Sequence, residues 1–150
     1  MIRSAKVRQP GSPEETAFLD LLRTADMLTR NAIGVLKAED LSHTQYNVLR
    51  ILRGSPQGLP CGEIAGRMIT RDPDVTRLLD RMEKRGLISR ARDSHDRRTV
   101  LARLTAEGLK LVDRLDEPVQ SMHRKLLGHL GKEHLRALRE LLAAARAKAE

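Results

Sequence analysis

The pattern of apolar residues changes from helical to strand-like directly after Gly86. Four apolar residues between positions 75 and 82 recur at the spacing of one helical face, which predicts an amphipathic helix that ends at this glycine. Two short β-capable segments, 87–92 and 99–104, then flank the polar residues 93–98. Two such segments around a polar tip predict a β-hairpin. This transition is the most informative feature of the chain for its fold.

A shorter helix is expected just before this unit, around residues 61–68, and a tight turn follows it at Ile69 and Thr70. The residue before a proline is disfavoured in the helical region, so we expect Asp72 to be the N-cap and Pro73 the first helical residue. Two helices joined by such a turn can place the polar N-terminal end of the second against base edges of DNA. The exposed candidates for that contact are Thr70, Arg71, Asp74, Thr76 and Arg77.

The tip of the predicted hairpin carries Arg97 and Arg98. Long cationic side chains at such a tip could enter a narrow minor groove or bind phosphate. The alternative for this pair is a solvated hairpin tip, and for Arg71 and Arg77 it is a surface salt bridge. The helix pair that precedes the hairpin favours DNA contact over these alternatives.

Capping signals mark two helices in the first third of the chain. The first helix is predicted to begin at Pro13, with Ser12 as its N-cap and Glu15 completing a capping box. Ser42 and Gln45 predict a second capping box. Apolar residues follow both starts at helical spacing, so each helix is expected to bury one face.

Two further helices are predicted after the hairpin. Thr105 is a candidate N-cap for a long helix whose apolar residues step by three and four. Pro118 lies inside that stretch, which predicts a kink or break near Glu117. Gly131 separates a last, leucine-rich helix.

Three blocks occur in a specific order and spacing: VTRLLDRMEKRGLI at 75–88, DRR at 96–98 and LTAEG at 104–108. Together they resemble the winged helix-turn-helix of MarR-type transcriptional regulators, and the similar stretch runs from Gly58 to Gly108. The flanking helices also fit, so the resemblance covers nearly the whole chain after residue 12. It implies a mainly α fold with a small β-hairpin wing and with N- and C-terminal dimerisation helices.

The resemblance also implies roles for parts of this chain. The recognition helix would be 73–85 and the wing 87–104, with Arg97 in the minor groove and Asp96 bracing the neighbouring arginine. Two subunits would intertwine their terminal helices to form a homodimer on double-stranded DNA. The implied division of the single domain 1–150 is a flexible arm at 1–11, dimerisation helices at 12–38 and 106–150, and a DNA-binding lobe at 42–105.

Regulators of this type often bind small, commonly aromatic acids between the dimerisation helices and the DNA-binding lobe, and the ligand loosens DNA binding. The resemblance therefore implies a small aromatic or phenolic effector for this chain. The candidate pocket residues are Arg23, Met27, His43 and Tyr46.

Charge and composition agree with a nucleic-acid partner. The formal net charge is +8, with 28 Lys and Arg against 20 Asp and Glu, which favours a polyanion. An anionic membrane surface is the second choice, but one Phe, one Tyr and no Trp leave few aromatic anchors for it. No apolar run approaches the roughly 20 residues of a membrane helix, and the N-terminus lacks a secretory signal. A cytoplasmic location is expected.

The motifs of several other classes are missing from the sequence. It has no glycine-rich phosphate loop and no nucleophile elbow, so no enzyme is predicted. Three histidines, at 123, 129 and 134, are spaced six and five apart, which does not place two ligands on one helical face, so neither a metal site nor a cofactor is predicted. The single Cys61 excludes an internal disulfide and is expected to be a half-buried structural residue rather than a redox switch.

These observations predict a dimeric, sequence-specific repressor of a roughly palindromic operator, released by a small effector. The carboxylates of Asp72 and Asp74 lie near the DNA-facing end of the recognition helix, where they would repel phosphate, although they suit the helix dipole. A second hypothesis is therefore an architectural DNA-binding protein with little sequence preference, whose affinity would depend strongly on salt.

Overall fold

The computed structural model describes residues 11–149, so the predicted arm at 1–11 lies almost entirely outside the described residues. The mainly helical fold with a small antiparallel sheet is confirmed. In chain order the elements are α1 (Pro13–Lys37), α2 (His43–Arg53), β1 (Leu59–Pro60), α3 (Cys61–Arg67), α4 (Val75–Lys84), β2 (Ile88–Arg92), β3 (Val100–Leu104), α5 (Ala106–Leu127), a 3₁₀ turn (Gly128–Leu130) and α6 (Gly131–Arg146).

The predicted hairpin is confirmed, and it forms two strands of a three-stranded sheet. Strands β2 and β3 pair antiparallel from Ile88 opposite Leu104 to Arg92 opposite Val100. Strand β1 pairs with the other edge of β3, so that the order is β1-β3-β2. The sequence did not predict β1, because two residues, one of them a proline, are too few to show a strand period.

Most of the predicted caps form. The hydroxyl of Ser42 accepts from the backbone N–H of Gln45, whose side chain accepts from the N–H of Ser42, each at 3.1 Å. Ser12 likewise accepts from the N–H of Glu15. The predicted second half of that box is wrong, because the Glu15 carboxylate accepts from the N–H of Gly11 at 2.9 Å instead.

The start of α4 corrects the sequence prediction. Asp72 is not the N-cap and Pro73 is not helical; the N-cap is Asp74, whose carboxylate accepts from the N–H of Arg77 at 3.0 Å. Asp72 instead accepts from the N–H of Asp74 at 2.8 Å. This local turn holds Asp74 outside the helical region, at φ −139° and ψ 73°, and the first helical residue is therefore Val75.

The sequence predicted a kink or a break near Glu117, and the break is wrong. Helix α5 is continuous across Pro118. A proline in a helix removes one bond to the carbonyl four residues earlier, here that of Arg114. Both residues are exposed, so water can satisfy that carbonyl and the helix continues.

The hydrophobic core lies in the central lobe, between α2, α4, the sheet and the first half of α5. Its fully buried residues include Val48, Leu49, Ile64, Leu79 and Val112. Helix α1 contributes one buried residue, Leu36, near its C-terminal end, and α6 contributes none. The two outer helices therefore leave most of their apolar side chains outside this core.

Replacement of Gly108 by alanine is predicted to lower the free energy of unfolding by about 2 kcal/mol, the usual cost of overpacking. Gly108 is buried, and a Cβ there would overlap the backbone carbonyl of Leu87. Chemical denaturation measures the change. The control is Gly66→Ala in α3, where a Cβ meets nothing within 4 Å, so its stability should stay the same or rise by up to about 1 kcal/mol. Equal stability of Gly108→Ala and the native chain would contradict the close approach.

Candidate nucleic-acid interface

Helix α4 presents two different faces. Val75, Leu78, Leu79 and Met82 are buried and hold the helix on the core. The five predicted contact residues of the helix pair are all exposed. They lie in the turn after α3 or in the first turns of α4: Thr70, Arg71, Asp74, Thr76 and Arg77. The arrangement leaves the N-terminal end of α4 accessible to a groove.

The two carboxylates at this end are occupied by the backbone of their own segment. Asp74 caps α4 through the N–H of Arg77, and Asp72 accepts from the N–H of Asp74. Carboxylates at a helix N-terminus are stabilised by the helix dipole. Both residues therefore have a structural function in shaping the turn, which explains why they are placed beside a surface that suits an anion.

The wing tip is held by bonds between its own residues. The guanidinium of Arg92 donates to the carbonyl of Arg97 at 2.7 Å. Asp96 accepts from the N–H of Arg98 at 3.1 Å, two residues further along the chain, so the bond constrains the turn at the tip and does not involve Arg97. Among the described residues, no carboxylate pairs with the side chain of Arg97 or Arg98. Both side chains are exposed, and their charges are available to phosphate.

Arg90 connects the β-hairpin to α4. Its guanidinium pairs with Asp80 and with Glu83 of α4, the latter at 3.2 Å. The Glu83 carboxylate also accepts from the backbone N–H of Arg90 at 2.9 Å. Hydrogen bonds from Arg90 lower the pKa of Glu83, and those carboxylates raise the pKa of the guanidinium. Glu83 therefore stays ionised at neutral pH, and its pairing is lost only as the pH falls through its lowered pKa.

Two other arginines attach the lobe to its surroundings. Arg85, after α4, donates to the carbonyls of Asp40 at 2.6 Å and Glu39 at 3.2 Å. Arg53 of α2 binds Asp113 and Asp116 of α5, each at 2.8 Å. Hydrogen bonding to Arg53 lowers the pKa of Asp116, so this bridge also persists at neutral pH and is lost only in acid.

Sequence reasoning missed the residues that position this surface. Arg90, Arg92 and Asn47 bond to groups 5 to 22 positions away. No local motif signals such pairs. The strand period could have placed Arg90 on the face of β2 that is turned towards α4, once the hairpin was predicted.

A cavity of about 420 Å³ lies between α1, α2 and α5. Of the four predicted pocket residues, His43 and Tyr46 line it. Arg23 pairs with Asp20 on an exposed face of α1, and Met27 lies in a separate depression beside Arg30 and Asn31; neither lines this cavity within the chain. The other lining residues include Asn47, Arg50, Ile69, Met122 and His123.

Two other kinds of site, a metal centre and a membrane-spanning helix, have no candidate in the described part of the chain. Cys61 is half-buried, with its sulfur 3.8 Å from the hydroxyl of Thr76. Within residues 11–149, no three His, Cys, Asp or Glu side chains lie together as a metal site would require. None of the helices in that range has the length and apolar character needed to cross a membrane.

Comparison with known proteins decides the family. The family model for MarR matches residues 41–100. The homoprotocatechuate degradative operon repressor of Escherichia coli is 30% identical over 108 residues, which are 72% of each chain. The chain belongs to the MarR family. Members of this family are DNA-binding transcriptional regulators and not enzymes, so the DNA-binding regulator predicted from the sequence is confirmed at that level.

Two solved structures carry the same MarR fold. A MarR transcription factor from Planctomyces limnophilus is 39% identical, with a TM-score of 0.69 over 89% of this chain and 98% of that chain. The transcriptional repressor CouR, solved on a 23-mer DNA duplex, is 29% identical, with a TM-score of 0.76 over 85% of this chain and 89% of that chain. The winged helix-turn-helix of the MarR family thus accounts for α2 to β3 here.

Replacement of Arg90 by leucine is predicted to weaken DNA binding about fivefold, because wing and recognition helix would no longer be held in one arrangement before binding. Affinity for duplex DNA and amide exchange of the β2 and β3 backbone measure the effect, and exchange should become faster. The control is Ser89→Ala, an exposed neighbour on the same strand. Native affinity and native exchange in Arg90→Leu would refute the coupling.

Proposed function

We propose that this MarR-family chain is a homodimeric repressor of a roughly palindromic operator, released by a small aromatic acid. The observation that carries the proposal is that the core lies in the lobe and the first half of α5, whereas α1 contributes one buried residue and α6 contributes none. The lobe is 42–105, and the dimerisation helices are 12–38 and 106–150. The lobe supplies DNA contact, and the outer helices supply the second subunit.

Dimerisation would bury the apolar residues that the single chain leaves in solvent. On α1, Phe18 is 61% exposed and Leu22 53%, and on α6 Leu141 is 70% exposed. Contiguous exposed apolar surface on a soluble protein marks an interaction site. A second copy is the occupant that the resemblance to MarR-type regulators implies, with α1 and α6 of both subunits in contact.

Twofold symmetry then determines the form of the DNA site. Two recognition helices related by a dyad enter successive major grooves about 34 Å apart, so the half-sites should be inverted repeats. Thr70, Arg71, Thr76 and Arg77 would contact base edges and phosphates in each major groove. Arg97 and Arg98 would reach the adjacent minor groove or its phosphates. The structure of CouR on a 23-mer duplex supports double-stranded DNA as the partner.

The cavity between α1, α2 and α5 would hold the effector. Tyr46 and Met122 offer apolar walls, while His43, Arg50 and His123 offer donors that suit a carboxylate. The E. coli relative is the repressor of a homoprotocatechuate degradative operon, which supports an aromatic acid. Such a ligand releases DNA if it binds more tightly to a conformation with the wrong half-site spacing.

Selection of the purified protein against random duplex DNA tests the proposal, with the winners measured across salt concentrations. A palindromic consensus with half-sites about one helical turn apart is expected. If only base composition is enriched and the affinity falls steeply with salt, the chain would instead be an architectural DNA-binding protein with little sequence preference. No detectable binding would overturn both.

Replacement of Arg97 by alanine is predicted to weaken operator binding at least about tenfold, because a cation would be lost from the minor groove. Fluorescence anisotropy measures the affinity, and sedimentation should show an unchanged dimer. The control is Arg114→Ala on α5, which removes the same charge from a residue paired with Glu39. If both variants bind alike, the assignment of Arg97 to the minor groove fails.

Replacement of Leu138 and Leu142 together by aspartate is predicted to give monomers or unfolded protein. Both side chains are only partly buried in the single chain, so the charges would be placed in the dimer interface rather than in the core. Sedimentation velocity and circular dichroism measure the outcome. A stable, folded dimer of this variant would contradict the proposed dimer interface between the terminal helices.

A further inference from the structure

The turn between α3 and α4 has one hydrogen bond to a distant part of the chain. Asn47 of α2 accepts from the backbone N–H of Ile69 through its amide oxygen, at 2.8 Å. All other bonds of residues 68–74 within the described chain are local. The turn carries Thr70 and Arg71 and leads into α4, so one distant side chain bonds directly to the backbone of this surface.

Asn47 is a fixed point for the turn. Its side chain is 8% exposed, and the next two residues of α2, Val48 and Leu49, are wholly buried. Ile69, in contrast, is 80% exposed, so its own side chain does not pack the turn onto the core. Met68 before this residue and Val75 after the turn are packed in the core, and between them the backbone N–H of Ile69 is the point at which the turn is bonded to α2.

We propose that Asn47 is a positioning residue for DNA binding, which holds the turn at Ile69 so that Thr70, Arg71 and the N-terminal end of α4 meet the groove in one arrangement. This inference rests on the proposed role of the turn in DNA contact. Asn47 and Ile69 also both line the cavity between α1, α2 and α5. The bond is thus placed between the effector cavity and the DNA-facing surface.

Two substitutions separate positioning from packing. Asn47→Leu has nearly the same size and removes the acceptor, while Asn47→Asp keeps an acceptor at the same position. We expect Asn47→Leu to bind the selected operator about fivefold to tenfold more weakly, the usual effect of one lost hydrogen bond. We expect Asn47→Asp to bind the operator with nearly native affinity. On nonspecific duplex, the affinities of both variants should differ less from that of the native chain than they do on the operator.

Amide exchange in the free protein gives a readout that needs no DNA. The Ile69 amide of the native chain should exchange more slowly than those of Thr70 and Arg71, and this protection should vanish in Asn47→Leu and return in Asn47→Asp. An unprotected Ile69 amide in the native protein would overturn the proposal, even if Asn47→Leu did not fold. Native operator affinity in a folded Asn47→Leu would overturn it too. If the native chain selects no operator, the proposal that it is a repressor fails. The exchange measurement still shows in that case whether Asn47 bonds to the N–H of Ile69.

Discussion

The arrangement of the lobe depends on a close junction at which four elements meet. Thr105 donates its backbone N–H to the carbonyl of Leu87 at 3.1 Å and its hydroxyl to the carbonyl of Gly86 at 2.6 Å. The same hydroxyl accepts from the N–H of Gly108 at 3.0 Å and caps α5. One threonine thus joins the end of α4, both ends of the hairpin and the start of α5. The backbones approach so closely that only glycine fits at position 108.

Local signals predicted the elements and their order well. Caps, glycine stops and apolar periods located α1, α2, α4, α5 and the hairpin, because each of these signals acts over a few residues. The errors also have local causes. Asp72 and Asp74 are both of a residue type that favours the N-cap, and the sequence does not show which one caps the helix. At Pro118 the cost of the lost bond depends on solvent exposure, which is a property of the folded chain.

The candidate site was also predictable only in part, because local signals do not show contacts between residues that are distant in the chain. The exposed residues of α4 and of the wing tip follow from the helix-turn-helix pattern and the resemblance. The residues that position them do not, since Arg90, Arg92 and Asn47 bind partners on other elements or on the opposite side of the tip. The arginine-rich composition was also ambiguous. Arg53, Arg85 and Arg90 bind groups within the chain, so the excess of cations overstates the number available to DNA.

Helix α5 belongs to two parts of the molecule. Its first half is buried in the lobe through Leu111, Val112 and Leu115, and its second half continues past Pro118 towards the 3₁₀ turn and α6. A helix of 22 residues is about 33 Å long. A rotation of about 6° at its far end would therefore carry the lobe through about 3 Å, close to the rise of one base pair. Because α5 is long, a rotation too small to disturb the core of the lobe can move the lobe out of alignment with DNA.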